Sequence, residues 1–173
     1  MVTSTPGVTA SPVCAWSGIA ESVSAPFATG ASGISGVIPS KALIVKSPLF
    51  TPERRVFLIR EAVKEYGLQN VSVDKTDGLI TEFCTKIDAS IIVKGLRQNS
   101  DYEAELGMAL INKKLSGIET VFMPAEPGRG YISSSIIKDV ARFGGDITGM
   151  VPNCVIPAME EVFGKIDSGE NRL

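Results

Sequence analysis

Beyond residue 40 the chain alternates short aliphatic runs with longer stretches in which apolar residues recur every three or four positions. Ala42-Leu43-Ile44-Val45 predicts a short buried strand. Thr51-Pro52-Glu53 predicts a helix start, because a threonine hydroxyl can cap free amides and proline has no N–H to lose at the first helical position. Val56, Ile59 and Val63 mark the inward face of that helix, and Gly67 ends it. Val71-Ser72-Val73 predicts a strand, residues 79–86 a short helix, and Ala89-Ser90-Ile91-Ile92-Val93 another strand. A longer helix over about 101–114 should turn Tyr102, Leu106, Ala109 and Leu110 inward. Thr120-Val121-Phe122-Met123 predicts a further strand. Ser133 caps a helix with Ile136, Ile137 and Val140 inward, closed by Gly144-Gly145, and a last helix carries Val155, Met159, Val162 and Phe163. This alternation predicts an α/β fold: a parallel sheet with helices on both faces. Such sheets bind ligands outside the carboxyl ends of their strands.

Residues 1–40 break the pattern. Their only charged side chain is Glu21, nearly half are Gly, Ser or Ala, and no helical or strand period runs through them. Composition marks them as an atypical, weakly ordered segment, although Val13, Trp16 and Phe27 could dock on a core. The predicted organisation is therefore an atypical segment over 1–40 and one α/β domain over 41–173.

The chain has 173 residues, of which 44% are hydrophobic, enough for one real core. Its net charge of −2 supplies no bulk positive field, which argues against nucleic-acid binding. A phosphate ligand would have to be held by local cations and backbone amides. Cys14, Cys84 and Cys154 lie far apart without metal-ligand spacing, the usual look of a reduced cytoplasmic protein. No apolar run reaches the roughly 18 residues of a membrane span.

The densest chemistry lies at the end of the third of these strands. Ile92-Val93-Lys94-Gly95-Leu96-Arg97 reads as a buried strand that stops at a lysine, turns at a glycine and presents an arginine. Two fixed cations at the carboxyl end of a strand suit a phosphate-bearing ligand, and Gly95 lets backbone approach it closely. Asp101, Glu103 and Glu105 follow at a helix start. For Asp101 and Glu103 the helix dipole is sufficient reason; Glu105 lies further along and could accept from a sugar hydroxyl. Arg129, then Tyr131-Ile132-Ser133-Ser134-Ser135, follows a Pro/Gly-rich loop and opens a helix, where free amides and hydroxyls can form an anion site as well as a plain cap. Lys46 could reach the same strand-end crevice from Lys46-Ser47-Pro48-Leu49-Phe50.

Taken in order, these segments resemble the phosphopantetheine adenylyltransferase family of coenzyme A synthesis over roughly residues 41–164. The matching pieces are Pro39-Ser40-Lys41, Lys46 to Phe50, Thr51-Pro52-Glu53-Arg54-Arg55, Asp77-Gly78-Leu79-Ile80 and Lys94-Gly95-Leu96-Arg97. Asp101-Tyr102-Glu103-Ala104-Glu105, the run from Tyr131 to Ser135, and Gly144-Gly145-Asp146 with Val151-Pro152 complete it. The resemblance implies a Rossmann-like nucleotidyltransferase fold assembled as a homohexamer. It implies transfer of AMP from ATP, with Mg²⁺, to 4′-phosphopantetheine, giving dephospho-coenzyme A and pyrophosphate. It also implies catalytic roles for Lys46 and Lys94, and pantetheine contacts from Lys46, Lys94 and the Ile80 backbone. Gly95, Leu96, Arg97 and Glu105 would line the ATP site, with Arg129, Gly130, Tyr131, Ile132, Ser133, Ser134 and Ser135 around its phosphates.

One departure is sharp. The family carries T-x-G-H near its N-terminus, and its histidine stabilises the transition state at the α-phosphate. This chain has no histidine. Its nearest echo is Pro6-Gly7-Val8-Thr9-Ala10-Ser11-Pro12, and residues 13–38 do not resemble the family's first helix and second strand. A reading-frame disturbance upstream of Pro39 would account for the break. Two other roles stay open on the sequence: a non-catalytic nucleotide or pantetheine binder, and an assembly-only homologue.

Overall fold

The computed structural model describes residues 13–15, 36–41, 48–97, 99–126 and 128–164. Among the described residues, five parallel strands form one sheet in the order β3-β2-β1-β4-β5. In chain order these are β1 (Val13–Ala15), β2 (Gly36–Lys41), β3 (Val71–Thr76), β4 (Ile91–Leu96) and β5 (Glu119–Pro124). The helices are α1 (Pro52–Glu65), α2 (Ile80–Lys86), α3 (Asn99–Ser116), α4 (Ser134–Arg142) and α5 (Val155–Phe163).

The strand order has a direct consequence for ligand binding. The chain steps outward from β1 through β2 to β3, then returns and steps outward on the other side from β4 to β5. Right-handed crossovers therefore place α1 and α3 on opposite faces of the sheet. The order reverses between β1 and β4, and the crevice outside their carboxyl ends is where such sheets bind nucleotides.

Each helix end follows from local chemistry. The Thr51 hydroxyl accepts from the Arg54 amide at 3.2 Å, and Pro52 opens α1. Gly67 takes φ +66° just past the end of α1, a conformation that costs a residue with a Cβ far more. Val56, Ile59 and Val63 of α1 pack with Val73 of β3. On the other face Ile92 of β4 is fully buried with Ile80, Phe83 and Cys84 of α2, Ala89 and Ile118. A third cluster joins Leu58 of α1 and Phe50 to Ile132, Ile137, Ala141, Ile147, Val151, Ala158 and Met159, fastening α4 and α5 to the sheet domain.

Several expectations need correction. The strand expected over 42–45 lies outside the described residues; β2, over Gly36–Lys41, is a strand that was not expected. β1 lies between β2 and β4, although no strand period is legible around Val13. On α3 Ala109 is buried as expected, but Leu110 faces outward, Tyr102 stays exposed while its ring packs edge-on against Phe122 of β5, and Asn112 is buried. Ile136 of α4 and Val162 of α5 are also exposed. On α3 the apolar residues outnumber the inward positions. Met108, Ile111 and Leu115 are exposed as well.

Candidate active site

Residues on one face of a strand alternate, so Lys94 leaves β4 on the same side as Ile92, toward α3. The Lys94 side chain is only 5% exposed. A buried ammonium without a counter-charge is costly, and α3 supplies one: Lys94 Nζ donates to Glu105 Oε2 in the second turn of that helix. Gly95 projects to the opposite side, and a Cβ placed on it would meet nothing within 4 Å. The strand end is thus open to an approaching ligand on that side.

Arg97 is fixed from two directions. Its backbone amide and its Nε both donate to Asp101 Oδ2 at 3.2 Å, and Nη2 reaches Oδ1 at 3.5 Å. Nη1 donates to the Ile132 carbonyl at 3.1 Å. A guanidinium has five N–H groups in a rigid fork, so two remain for a ligand. The side chain is about a quarter exposed, which leaves it reachable.

The loop between β5 and α4 closes over this strand end. The Ala125 amide donates to the Leu96 carbonyl at 2.7 Å. A Cβ on Gly130 would stand 3.4 Å from the Arg97 carbonyl, so a small residue keeps the loop close. Ile132 buries its side chain in the third cluster while its carbonyl holds Arg97. Ser133 then caps α4, its hydroxyl accepting from the Ile136 amide at 3.3 Å. Ser134 is partly buried, while Ser135 and Tyr131 are exposed. Arg129 pairs with Glu126 at 2.9 Å in the same loop.

The structure therefore brings together Lys94, Gly95, Leu96, Arg97, Glu105, Gly130, Ile132 and Ser133 around the carboxyl end of β4. Ile80 opens α2 nearby in sequence order after β3, with its side chain in the Ile92 cluster. Lys46 and the echo at residues 6–12 lie outside the described residues. Two participants were missed by sequence reasoning. Asp101 was assigned to the helix dipole, yet it clamps Arg97; its spacing four residues after Arg97 was the available signal. The Ile132 carbonyl had no signal, because a backbone contact across 35 residues leaves no mark in composition. Glu105, which could accept from a sugar hydroxyl, meets Lys94 in the structure.

The two cysteines whose side chains are described, Cys84 and Cys154, take no part in the strand-end geometry. Cys84 is fully buried among aliphatic residues. Cys154 donates its thiol to the Leu58 carbonyl at 3.6 Å, and burial, with Glu65 beside it, pushes that thiol above its ordinary range. No helix among the described residues is long and apolar enough to cross a membrane.

Comparison with known proteins agrees with this geometry. A family model described as cytidylyltransferase-like matches residues 28–140. A phosphopantetheine adenylyltransferase of Bifidobacterium longum is 58% identical over 120 residues, which is 69% of this chain and 72% of that protein. The Bifidobacterium animalis subsp. lactis protein of the same name is 58% identical over 117 residues, 68% of this chain and 74% of its own. A third of that name, from Caldanaerobacter subterraneus subsp. tengcongensis, is 46% identical over 121 residues, 69% and 74% respectively. A Rossmann-like parallel sheet, a cation pair at its switch point and these identities converge: the chain belongs to the cytidylyltransferase-like nucleotidyltransferases and, among them, to the phosphopantetheine adenylyltransferase family.

Proposed function

We propose that this chain transfers AMP from ATP to 4′-phosphopantetheine, forming dephospho-coenzyme A and pyrophosphate. The observation that carries this reading is the placement of Lys94 and Arg97 at the carboxyl end of β4, beside the strand-order switch. A phosphate oxygen of phosphopantetheine attacks the α-phosphorus of ATP. One P–O bond forms, the bond to the β-phosphate breaks, and pyrophosphate leaves. The acceptor oxygen is already a nucleophile, so catalysis is in-line positioning and charge neutralisation.

Lys94 contacts the pantetheine substrate, together with Lys46 and the Ile80 backbone. Gly95, Leu96, Arg97 and Glu105 line the ATP site, with the segment from Arg129 to Ser135 around its phosphates. Asp101, Glu105 and Glu126 each engage a cation of the site; the Mg²⁺ that accompanies ATP would supply neutralisation of phosphate charge. With no histidine in the chain, charge at the α-phosphate falls to lysine, arginine, backbone amides and that metal. The protein works in the cytoplasm alongside its substrates.

Apolar side chains are exposed on α3 at Ile111 and Leu115. Exposed apolar side chains of this kind support a homo-oligomer, a hexamer by family. Ile111→Glu with Leu115→Glu should shift the sedimentation profile to monomer; an unchanged profile would put the interface elsewhere. For the reaction itself, mass spectrometry should find dephospho-coenzyme A only when ATP, Mg²⁺ and 4′-phosphopantetheine are all present. ATP binding without product would leave a nucleotide binder.

A further inference from the structure

Each described cation of the site already holds a carboxylate: Lys94 holds Glu105, Arg97 holds Asp101, and Arg129 holds Glu126. These pairs are not equivalent. Arg129 and Glu126 are both largely exposed, where an ion pair contributes little. Arg97 keeps two N–H groups beyond its partners. Lys94 differs, because its ammonium is buried and Glu105 reaches it from the more open side, at 31% exposure. An anion arriving from solvent meets the Glu105 carboxylate at the charge it needs.

Asp101 and Glu105 lie one turn apart on α3, and Lys94 and Arg97 lie three residues apart at the end of β4. One helix face therefore matches both strand-end cations. A buried ion pair is a weak source of stability, since the cost of removing both charges from water offsets much of their attraction. Its effect on a third charge is larger, because low local dielectric strengthens every interaction near it.

We propose that Glu105 is a specificity-determining residue that competes with anions for Lys94. It neutralises the ammonium in the free protein, so that a small free anion binds weakly and only a ligand with further contacts displaces the carboxylate. Inorganic pyrophosphate, a leaving group that must depart, belongs to the disfavoured class. This inference rests on the strand end of β4 being the phosphate site.

The test is calorimetric titration of the full chain with inorganic pyrophosphate, for the wild type, Glu105→Gln, Glu105→Asp, and Lys94→Met combined with Glu105→Gln. Glu105→Gln should bind pyrophosphate roughly tenfold more tightly, the size of coupling that charges in contact show. Glu105→Asp keeps the charge on a shorter arm and should fall between the two, which preserves the test if the glutamine variant does not fold. The gain should vanish in the double variant. Unchanged or weaker binding by Glu105→Gln overturns the inference, as does a gain that survives loss of Lys94. Titration of the wild type with Mg·ATP and with 4′-phosphopantetheine separates the two claims. If neither binds, the phosphate site and this inference fall together. If both bind while the Glu105 variants leave pyrophosphate affinity unmoved, only this inference falls.

Discussion

Replacing Arg97 by lysine keeps the positive charge and removes the fork. Arg97 joins three pieces of the fold: the end of β4, the first turn of α3 through Asp101, and the loop before α4 through the Ile132 carbonyl. A lysine has one nitrogen and cannot reach both partners while leaving donors for a ligand. Bonds to a charged group contribute on the order of 1.5–3 kcal/mol, and a neutral one about 1 kcal/mol. The Arg97–Asp101 pair is about a quarter exposed, so solvent screening reduces its share, and lysine recovers part of one contact. The expected net loss is about 1 kcal/mol, or a melting point roughly 2–4 °C lower for a chain of this size. The functional loss should be larger. Misplacing one preorganised donor in a phosphoryl-transfer site costs on the order of 10²–10³ when it is deleted, and roughly tenfold to a hundredfold when charge survives without geometry. The assay is pyrophosphate release at varied ATP, with a thermal melt on the same preparation. A variant that melts lower yet keeps the wild-type kcat/KM for ATP would refute a role for the fork and leave Arg97 a structural tie.

Other expectations can be checked alongside. Glu65 at the end of α1 accepts from the Asn153 amide at 3.1 Å, the Asn153 side chain at 2.6 Å and the Cys154 amide at 3.2 Å, so it anchors the start of α5. Burial would push its carboxyl up, but these hydrogen bonds outweigh it and hold the group below its ordinary value of 4.5. A lowered folded-state value stabilises above that ordinary value and is lost as pH falls through the folded value. Denaturant melts of Glu65→Gln should therefore show lower stability at pH 7 and a shallower decline below about pH 4.5 than the wild type; parallel curves would contradict the anchor. Ser133→Ala removes the α4 cap and should cost about 1 kcal/mol in a chemical melt, with no loss meaning that water replaces the hydroxyl. The coding DNA, read in the two other frames near codon 11, should encode a Gly-His pair if a frame disturbance produced residues 1–40; its absence from both frames ends that idea.

Much of the architecture was legible because burial on this sheet is patterned. Ile91-Ile92-Val93 reads as a covered strand, Thr51-Pro52 as a capped start, and Gly67 as an end; each appears at β4 and α1. The inward face of α3 was misread because period alone cannot separate an apolar residue facing the core from one facing outward at a surface such as a subunit contact; Leu110 faces out and Tyr102 stays exposed. β1 was illegible for a different reason. A three-residue strand carries less than two periods of alternation, and its place between β2 and β4 is fixed by neighbours distant in sequence. At the site, Lys94 and Arg97 stood out because cations rarely follow buried aliphatic strands. Their pairing did not, because the Lys94–Glu105 contact, Asp101 and the Ile132 carbonyl acquire meaning only when α3 and the α4 loop fold back over β4.

The most direct test of the account is pyrophosphate release from Mg·ATP, measured with and without 4′-phosphopantetheine, for the wild type and for Lys94→Ala. The account predicts release that requires the pantetheine substrate and falls by roughly a hundredfold or more in the variant. Folded wild-type protein that releases no pyrophosphate, or a Lys94→Ala variant that matches it, would contradict the placement of adenylyl transfer at the carboxyl end of β4.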